Sequence, residues 1–232
     1  MQTILCDLHI HSDASADGHC PVEKIIQTAK ERGFDAVAIT DHDTTRGASA
    51  AAALKHPGIL IIPGIEVSTK DGHIVVLGTT KEFAPGKDAC ETIAEAKADG
   101  CLTIVPHPYH RWRHAVGLHN KAALKEADAI EAYNSRYYVG TANQKAARTA
   151  RAYGKPITAG SDAHDCRFVG YGMNKIEVEE LTAAAVLDAV RAGRIAASCK
   201  KTPIRTYTHQ SWNNVMRKVR RRAARLRVKR IR

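Results

Sequence analysis

No stretch of this chain approaches about 18 consecutive apolar residues, so no membrane span is expected. The first residues, MQTILCDLH, hold no basic region followed by an apolar run, which argues against a signal peptide. None of the cysteines, at positions 6, 20, 90, 101, 166 and 199, forms a CxxC pair. That spacing fits reduced thiols in a cytoplasmic protein better than a disulfide framework or a zinc ribbon, and makes a buried thiol the default for Cys166. No glycine-rich phosphate loop follows the first strand candidate, which weakens an open doubly wound sheet. Acids are missing from the final stretch RKVRRRAARLRVKRIR, where ten of sixteen residues are Lys or Arg. The formal net charge of +11 therefore leaves +1 for everything before Arg217, and the basicity belongs to an appended tail.

What is present is an alternating pattern. The chain has 232 residues with 44% apolar content, enough for a sizeable core. Strand candidates are 3–9, 35–40, 58–62, 73–78, 101–105, 129–133, 156–160 and 175–179. Helix candidates are 21–32, 44–55, 88–99, 119–127, 143–153 and 183–192. Pro21 suits a first helical position. Asp88 with Glu91 forms a capping-box variant. Gly33, Gly100, Gly154 and Gly193 each follow a helical stretch. Strands alternating with helices mean βα units and a parallel sheet. About seven such units in roughly 200 residues fit a barrel somewhat smaller than the eight-unit type.

In such a barrel the strand C-termini carry the chemistry. In DLHIHSDASADG, His9 and His11 are spaced so that a strand puts both on one face. Asp17 ends that stretch, with Asp13 as a competitor for its role. Asp41 and His42 follow the second strand in TDHD, Glu66 follows the third in GIEVS, and His73 opens the fourth in HIVVLG. His107 follows the fifth in VPHPYH, Glu131 and Asn134 the sixth in IEAYN, and Asp162 and His164 the seventh in GSDAH. A lone buried histidine is usually a satisfied core residue; several delivered to one rim are not explained that way. An imidazole–carboxylate set without thiolate suits Zn²⁺, Mn²⁺ or Fe²⁺. The candidates are too many for one ion and suit two or three divalent ions sharing a bridging carboxylate, which would polarise a phosphoryl oxygen and activate water.

The ordered motifs DLHIHS, TDHD, GIEVS, HIVVLG, PHP, IEAYN and GSDAH resemble those of the PHP (polymerase and histidinol phosphatase) family of metal-dependent phosphoesterases, over residues 3–198. The resemblance implies a distorted (β/α)7 TIM-like barrel over 1–200, followed by a basic extension over 205–232. It implies three metals: one on His9, His11, Glu66 and Asp162; a second on Glu66, His73 and His107; a third on Asp17, His42 and His164. His9, His11, Glu66, Asp162 and His164 would carry the chemistry. Within the family the chain looks most similar to the small stand-alone members, which implies a phosphatase or nuclease acting on nucleotides or nucleic acid through metal-activated hydroxide. Alternatives are a histidinol-phosphate-type phosphatase and a non-catalytic nucleic-acid-binding subunit, the latter disfavoured because all the ligand positions are retained. Only 33 residues separate His73 from His107, which leaves little room for a lid domain and suggests an open rim.

Other residues have a plainer reading beside the functional one. Asp7 and Asp41 are expected to hold imidazole N–H groups, or else to be turn or cap acids. Arg136 is a candidate phosphate clamp, against a solvated surface arginine. Arg111, Trp112, Arg113 and His114 interleave base and aromatic, either to grip phosphates and stack a base or merely to cover the rim. His110, His114 and His119 are not needed as ligands. Trp212, Val215, Val219, Ala223 and Leu226 recur at helical spacing, so 211–227 reads as a basic amphipathic helix. It could engage RNA or DNA, lie on an anionic membrane surface, or dock on the barrel.

Overall fold

The computed structural model describes residues 1–54, 58–111, 113–137 and 141–203. Residues Met1–Lys201 form one compact unit. Of the second unit, only residues 202 and 203 are described. The expected tail helix at 211–227, Trp112 and the role given to 211–232 therefore lie outside the described residues.

Nine strands make one sheet. In chain order they are β1 (Gln2–Ile10), β2 (Ala36–Ile39), β3 (Leu60–Ser68), β4 (His73–Leu77), β5 (Leu102–Val105), β6 (Ala129–Asn134), β7 (Ile157–Gly160), β8 (Gly172–Val178) and β9 (Ile195–Cys199). The helices are α1 (Val22–Glu31), α2 (Arg46–Ala53), α3 (Ala89–Ala98), α4 (Lys121–Glu126), α5 (Ala142–Ala152) and α6 (Ala183–Arg191). The strand order is β7-β6-β5-β4-β3-β2-β1-β8-β9. The sheet curls into a nearly closed barrel. At its seam Asp162 N–H donates to His9 O at 2.8 Å and His11 N–H donates to Ala163 O at 2.9 Å.

This is the α/β barrel the alternating pattern predicts, with three departures. β3 and β4 form an antiparallel hairpin with no intervening helix, and β4 is antiparallel to β5 as well. β8 runs antiparallel to β1, and β9, absent from the strand candidates, pairs antiparallel with β8. β3 extends to Ser68, so Glu66 lies within a strand rather than after one. The reason is the partner: β3 outruns the four-residue β2 and continues against β4, with Ser68 opposite His73. Helix punctuation behaves as its chemistry requires. Asp88 caps α3 by accepting from Cys90 N–H, and Gly33 closes α1 at φ 74°, a conformation unstrained only for glycine.

The barrel interior holds Ile4, Cys6, Leu8, Ala38, Ile62, Val75, Leu77 and Ile104, joined by Val186, Leu187 and Val190 of α6. Gly78, which follows β4, approaches Leu187. His73 begins the same strand at the rim, so α6 plugs the far end. Apolar burial thus fills the bottom of the barrel and leaves the rim to polar groups. Ile10, Val37 and Ile39 face outward onto Ile25, Ile26 and Ala48 of α1 and α2.

One expectation is overturned. Cys20 and Cys166 are joined as a disulfide across 146 residues, while Cys6, Cys90, Cys101 and Cys199 are free. The reading of all six as reduced thiols, and of Cys166 as a buried thiol, is corrected accordingly. Spacing could not reveal this pair. Cys20 precedes α1, Cys166 follows β7, and only barrel closure brings them together, with His19 N–H donating to His164 O at 3.0 Å. The cytoplasmic expectation loses the support it took from reduced thiols. No helix among the described residues is long and apolar enough to cross a membrane. Cross-linking so long a loop restricts the unfolded chain, and Cys20→Ser with Cys166→Ser is expected to cost about 2–5 kcal/mol. Urea unfolding with and without dithiothreitol measures this. Detection of six thiols in unfolded, unreduced protein would contradict the pairing.

Candidate metal centre

The end of β1, the loops after the parallel strands and the start of antiparallel β4 converge on Glu66, which is fully buried. Its backbone is held level with the rim by the loop after β2. Glu66 N–H donates to Asp41 O at 3.1 Å, and Asp43 N–H donates to Glu66 O at 3.0 Å. The two carboxylate oxygens face different imidazoles. Oε2 lies 3.2 Å from His9 Nε2, 3.1 Å from His11 Nε2 and 3.5 Å from His42 Nδ1. Oε1 lies 3.0 Å from His73 Nδ1 and 3.2 Å from His107 Nε2. A carboxylate with histidines on both oxygens is the arrangement a bridging ligand needs.

A neighbouring group forms around Asp17. His164 Nε2 stands 2.9 Å and His42 Nε2 3.8 Å from Asp17 Oδ2, and His11 completes the cluster. Asp13, the competitor for this place, is exposed, with its backbone N–H donating to Cys20 O. Asp162 closes the first group at 3.5 Å from His11 Nε2 and 3.9 Å from His9 Nε2. Two guanidiniums also reach it: Arg113 pairs with Oδ2, and Arg136 Nη1 lies 3.3 Å from Oδ1. Arg136 also contacts His164 Nδ1 at 2.9 Å. Arg111 is exposed and is not among the side chains brought onto Asp162. His110 is buried beside Asn143 and Tyr137 and does not join the carboxylates.

Four of the described residues hold left-handed backbone without being glycine, Asp43, His107, His114 and Asp162, and two of these are candidate ligands: His107 at φ 33° and Asp162 at φ 50°. Such conformations cost about 1–3 kcal/mol each and persist where surrounding bonds fix them, often at functional sites. Here Asp162 N–H is fixed by His9 O at 2.8 Å and His107 N–H by Glu131 Oε1 at 3.2 Å.

The electrostatics divide the histidines. Burial disfavours a charge on all of them. At His9 the carboxylates of Glu66, Glu131 and Asp162 outweigh burial and hold the ring well above the ordinary value. At His11 burial is likewise outweighed, by Asp162 and Glu66, and the ring rises to about 9. Burial wins at His42, which falls to about 4. It wins at His164 too, reinforced by Arg136 and His11, giving about 3. His107 is held well below its ordinary value by burial and by Arg113. Burial pushes the carboxyls of Glu66 and Asp162 up, but the facing cations more than reverse it and hold both well below the usual range.

Asp7 and Asp41 do not hold imidazole N–H groups, which corrects the expectation for both. Asp7 accepts from Gly170 N–H at 2.7 Å and Ser161 N–H at 3.1 Å; burial lifts its carboxyl to about 7. Asp41 accepts from Ser12 N–H at 2.6 Å and Ser12 Oγ–H at 2.7 Å. Both acids therefore staple loops rather than rings. The carboxylate that does hold a ring is Glu131, 2.8 Å from His9 Nδ1. The IEAYN motif marked its position but not this contact.

The donors fit divalent ions. Nδ1 of His11, His42, His73 and His107 is buried without a hydrogen-bond partner, and His9 Nε2 and His11 Nε2 sit only 3.2 Å apart. Three sets of side chains offer ligand atoms within 4.8 Å of one another: His11, Asp17, His42 and His164; His9, His11 and Glu66; and His42, Glu66 and His73. Imidazole and carboxylate donors without thiolate suit Zn²⁺, Mn²⁺ or Fe²⁺.

Comparison with known proteins agrees with this geometry. An uncharacterised protein of Methanocaldococcus jannaschii is 34% identical over 148 residues, spanning 59% of this chain and 85% of that one. A phosphoribosyl 1,2-cyclic phosphate 1,2-diphosphodiesterase of Eggerthella lenta is 42% identical over 86 residues, 34% of this chain and 32% of its own length. A 3′,5′-nucleoside bisphosphate phosphatase of Chromobacterium violaceum is 46% identical over 77 residues, 31% of this chain and 27% of its own. The chain thus spans about a third or less of these two named enzymes. Among solved structures, a two-domain protein of Bacteroides vulgatus, described as containing a predicted PHP-like metal-dependent phosphoesterase, superposes with a TM-score of 0.70 at 21% identity. That match covers 86% of this chain and 65% of the other. The model of the PHP-associated region matches residues 140–195. The PHP domain model matches residues 7–160, which contain seven of the nine candidate ligand residues, and on that match the chain belongs to the PHP domain family.

Proposed function

We propose that this protein is a phosphoesterase that hydrolyses phosphate esters of nucleotides or nucleic acid at a centre of two or three divalent ions. As a hydrolase of phosphate esters it shares the chemistry of the named relatives. The observation that carries the proposal is Glu66, fully buried with imidazoles on both carboxylate oxygens. His9, His11, Glu66 and Asp162 would hold one ion, Glu66, His73 and His107 a second, and Asp17, His42 and His164 a third. Ions bound there would polarise a phosphoryl oxygen and lower the pKa of bound water.

The chain's own groups do the rest. His42, His107 and His164 are kept neutral by burial, so their lone pairs are available at neutral pH. The nearby hydroxyls are engaged: Ser12 Oγ–H donates to Asp41, and Ser161 Oγ–H donates to His9 O at 3.1 Å. Neither is poised as a nucleophile, which favours attack by water and no covalent intermediate. Arg113 and Arg136 now neutralise Asp162. Once a cation takes that carboxylate, the two guanidiniums become available to a substrate phosphate, which their fork geometry suits. Arg113→Ala or Arg136→Ala should raise KM about tenfold, with a smaller effect on kcat. Steady-state kinetics on a phosphorylated dinucleotide checks this, and an unchanged KM in both variants would remove the clamp.

The proposal is tested by phosphate release from nucleoside mono- and bisphosphates, end-phosphorylated RNA and DNA, and histidinol phosphate. Protein is first stripped with chelator and then resupplied with Mn²⁺. Turnover on the nucleotide or polymer substrates is expected. Turnover on none, with RNA binding retained, would make the chain a non-catalytic subunit, and histidinol phosphate alone would make it a small-molecule phosphatase.

A further inference from the structure

We infer that Glu131 is the positioning residue of the centre: its buried carboxylate fixes the remaining proton of His9 on Nδ1 and so aims Nε2 at an ion. The inference rests on the ion centre proposed above.

Glu131 is 2% exposed and projects from β6 between three loops. Oε2 sits 2.8 Å from His9 Nδ1. Oε1 accepts from Asn134 Nδ2–H at 2.7 Å and from His107 N–H at 3.2 Å. The same Asn134 amide nitrogen donates to Asp162 Oδ2 at 2.9 Å. One carboxylate therefore ties together a candidate ligand at the end of β1, the backbone of another after β5 and, through Asn134, a third after β7. Its place is reserved by Gly160: a Cβ there would fall 2.0 Å from Glu131 Oε2 and 2.8 Å from His9 Cβ.

Glu131 is not placed as a ligand of the first group. It faces the Nδ1 edge of His9, while Glu66 and His11 face the Nε2 edge. An imidazole has one proton when neutral, and the nitrogen that loses it becomes the ligand. A carboxylate accepting at Nδ1 settles which one. Carboxylate–histidine–metal relays work in this way, and their loss typically lowers ion affinity about 10–100-fold.

Glu131→Gln tests this without changing size. Every group around the carboxylate is a donor. An amide must turn its NH₂ either toward Asn134 and His107 N–H, or toward His9, where it would demand the wrong tautomer. Mn²⁺ affinity measured by calorimetry should fall about 10–100-fold, with activity largely recovered at saturating Mn²⁺. In the wild-type protein loaded with diamagnetic Zn²⁺, ¹⁵N spectra should show His9 protonated on Nδ1, a result that does not depend on how the variant folds. Unchanged Mn²⁺ affinity in Glu131→Gln, or a His9 proton on Nε2 in wild type, would overturn the inference while leaving the centre intact. Failure of wild type to take up any ion would overturn both.

Discussion

Glu66→Gln lowers kcat by about a thousandfold or more and removes at least one bound ion. The amide has the shape of the carboxylate but not its charge, and it can present an acceptor on one side only. The side chain is fully buried and faces His9, His11, His42, His73 and His107. Whichever way the amide turns, its NH₂ confronts ring nitrogens on one side, and the two groups no longer share a ligand. The ion-free protein suffers too. His9 and His11 are held charged partly by Glu66, and a buried cation deprived of its partner costs about 3–5 kcal/mol. Phosphate release, ion content of the purified variant and urea unfolding without ions are the three measurements. Activity within tenfold of wild type would mean that Glu66 is not the shared ligand.

Ion binding at neutral pH releases about two protons, and the affinity falls about 100-fold on going from pH 7 to pH 6. His9 and His11 have values raised above neutrality and must give up a proton to become ligands. His42, His107 and His164 are already neutral. Calorimetric titration with Mn²⁺ in buffers of differing ionisation enthalpy counts the protons directly. Release of none would mean that His9 and His11 are not displaced onto an ion.

The same shifts give the ion-free protein a stability maximum. His11 has a raised value, so its contribution is full below about pH 6.5 and is lost as pH rises through about 9. Asp7 runs against the acid-side trend: its carboxyl ionises at about 3.9 in the unfolded chain but only at about 7 in its dry site, so its contribution is lost as pH rises from about 4 to about 7. His42 and His164 have depressed values; their unfolded forms take up protons first, so stability falls from about pH 6.5 down through about 4 and 3. Glu66 and Asp162 are also depressed, and their contribution is lost as acid protonates them.

The fold class and the converging side chains were legible for one reason: in βα units the strand ends share a rim, so motif order alone brings distant residues together. His9, His42, His107 and Asp162 could be read this way. Glu66 was legible as a rim residue although it sits inside β3, because that strand outruns its partner. Three features were hidden. The Cys20–Cys166 link depends on barrel closure, which no local spacing encodes. Asp7 and Asp41 stand near histidines in sequence, but their carboxylates are taken up by the backbone N–H groups of Ser161 and Gly170 and by Ser12. Glu131 lies 122 residues from His9, and only the pairing of β6 with β7, with β7 in turn against β1, reveals the contact.

Anomalous diffraction from crystals grown with Mn²⁺ tests the central claim most directly. Two or three peaks are expected around Glu66, two of them within bonding distance of its separate carboxylate oxygens, with Arg113 and Arg136 released from Asp162. A map with no peak near Glu66 and both arginines still on Asp162 would contradict the account.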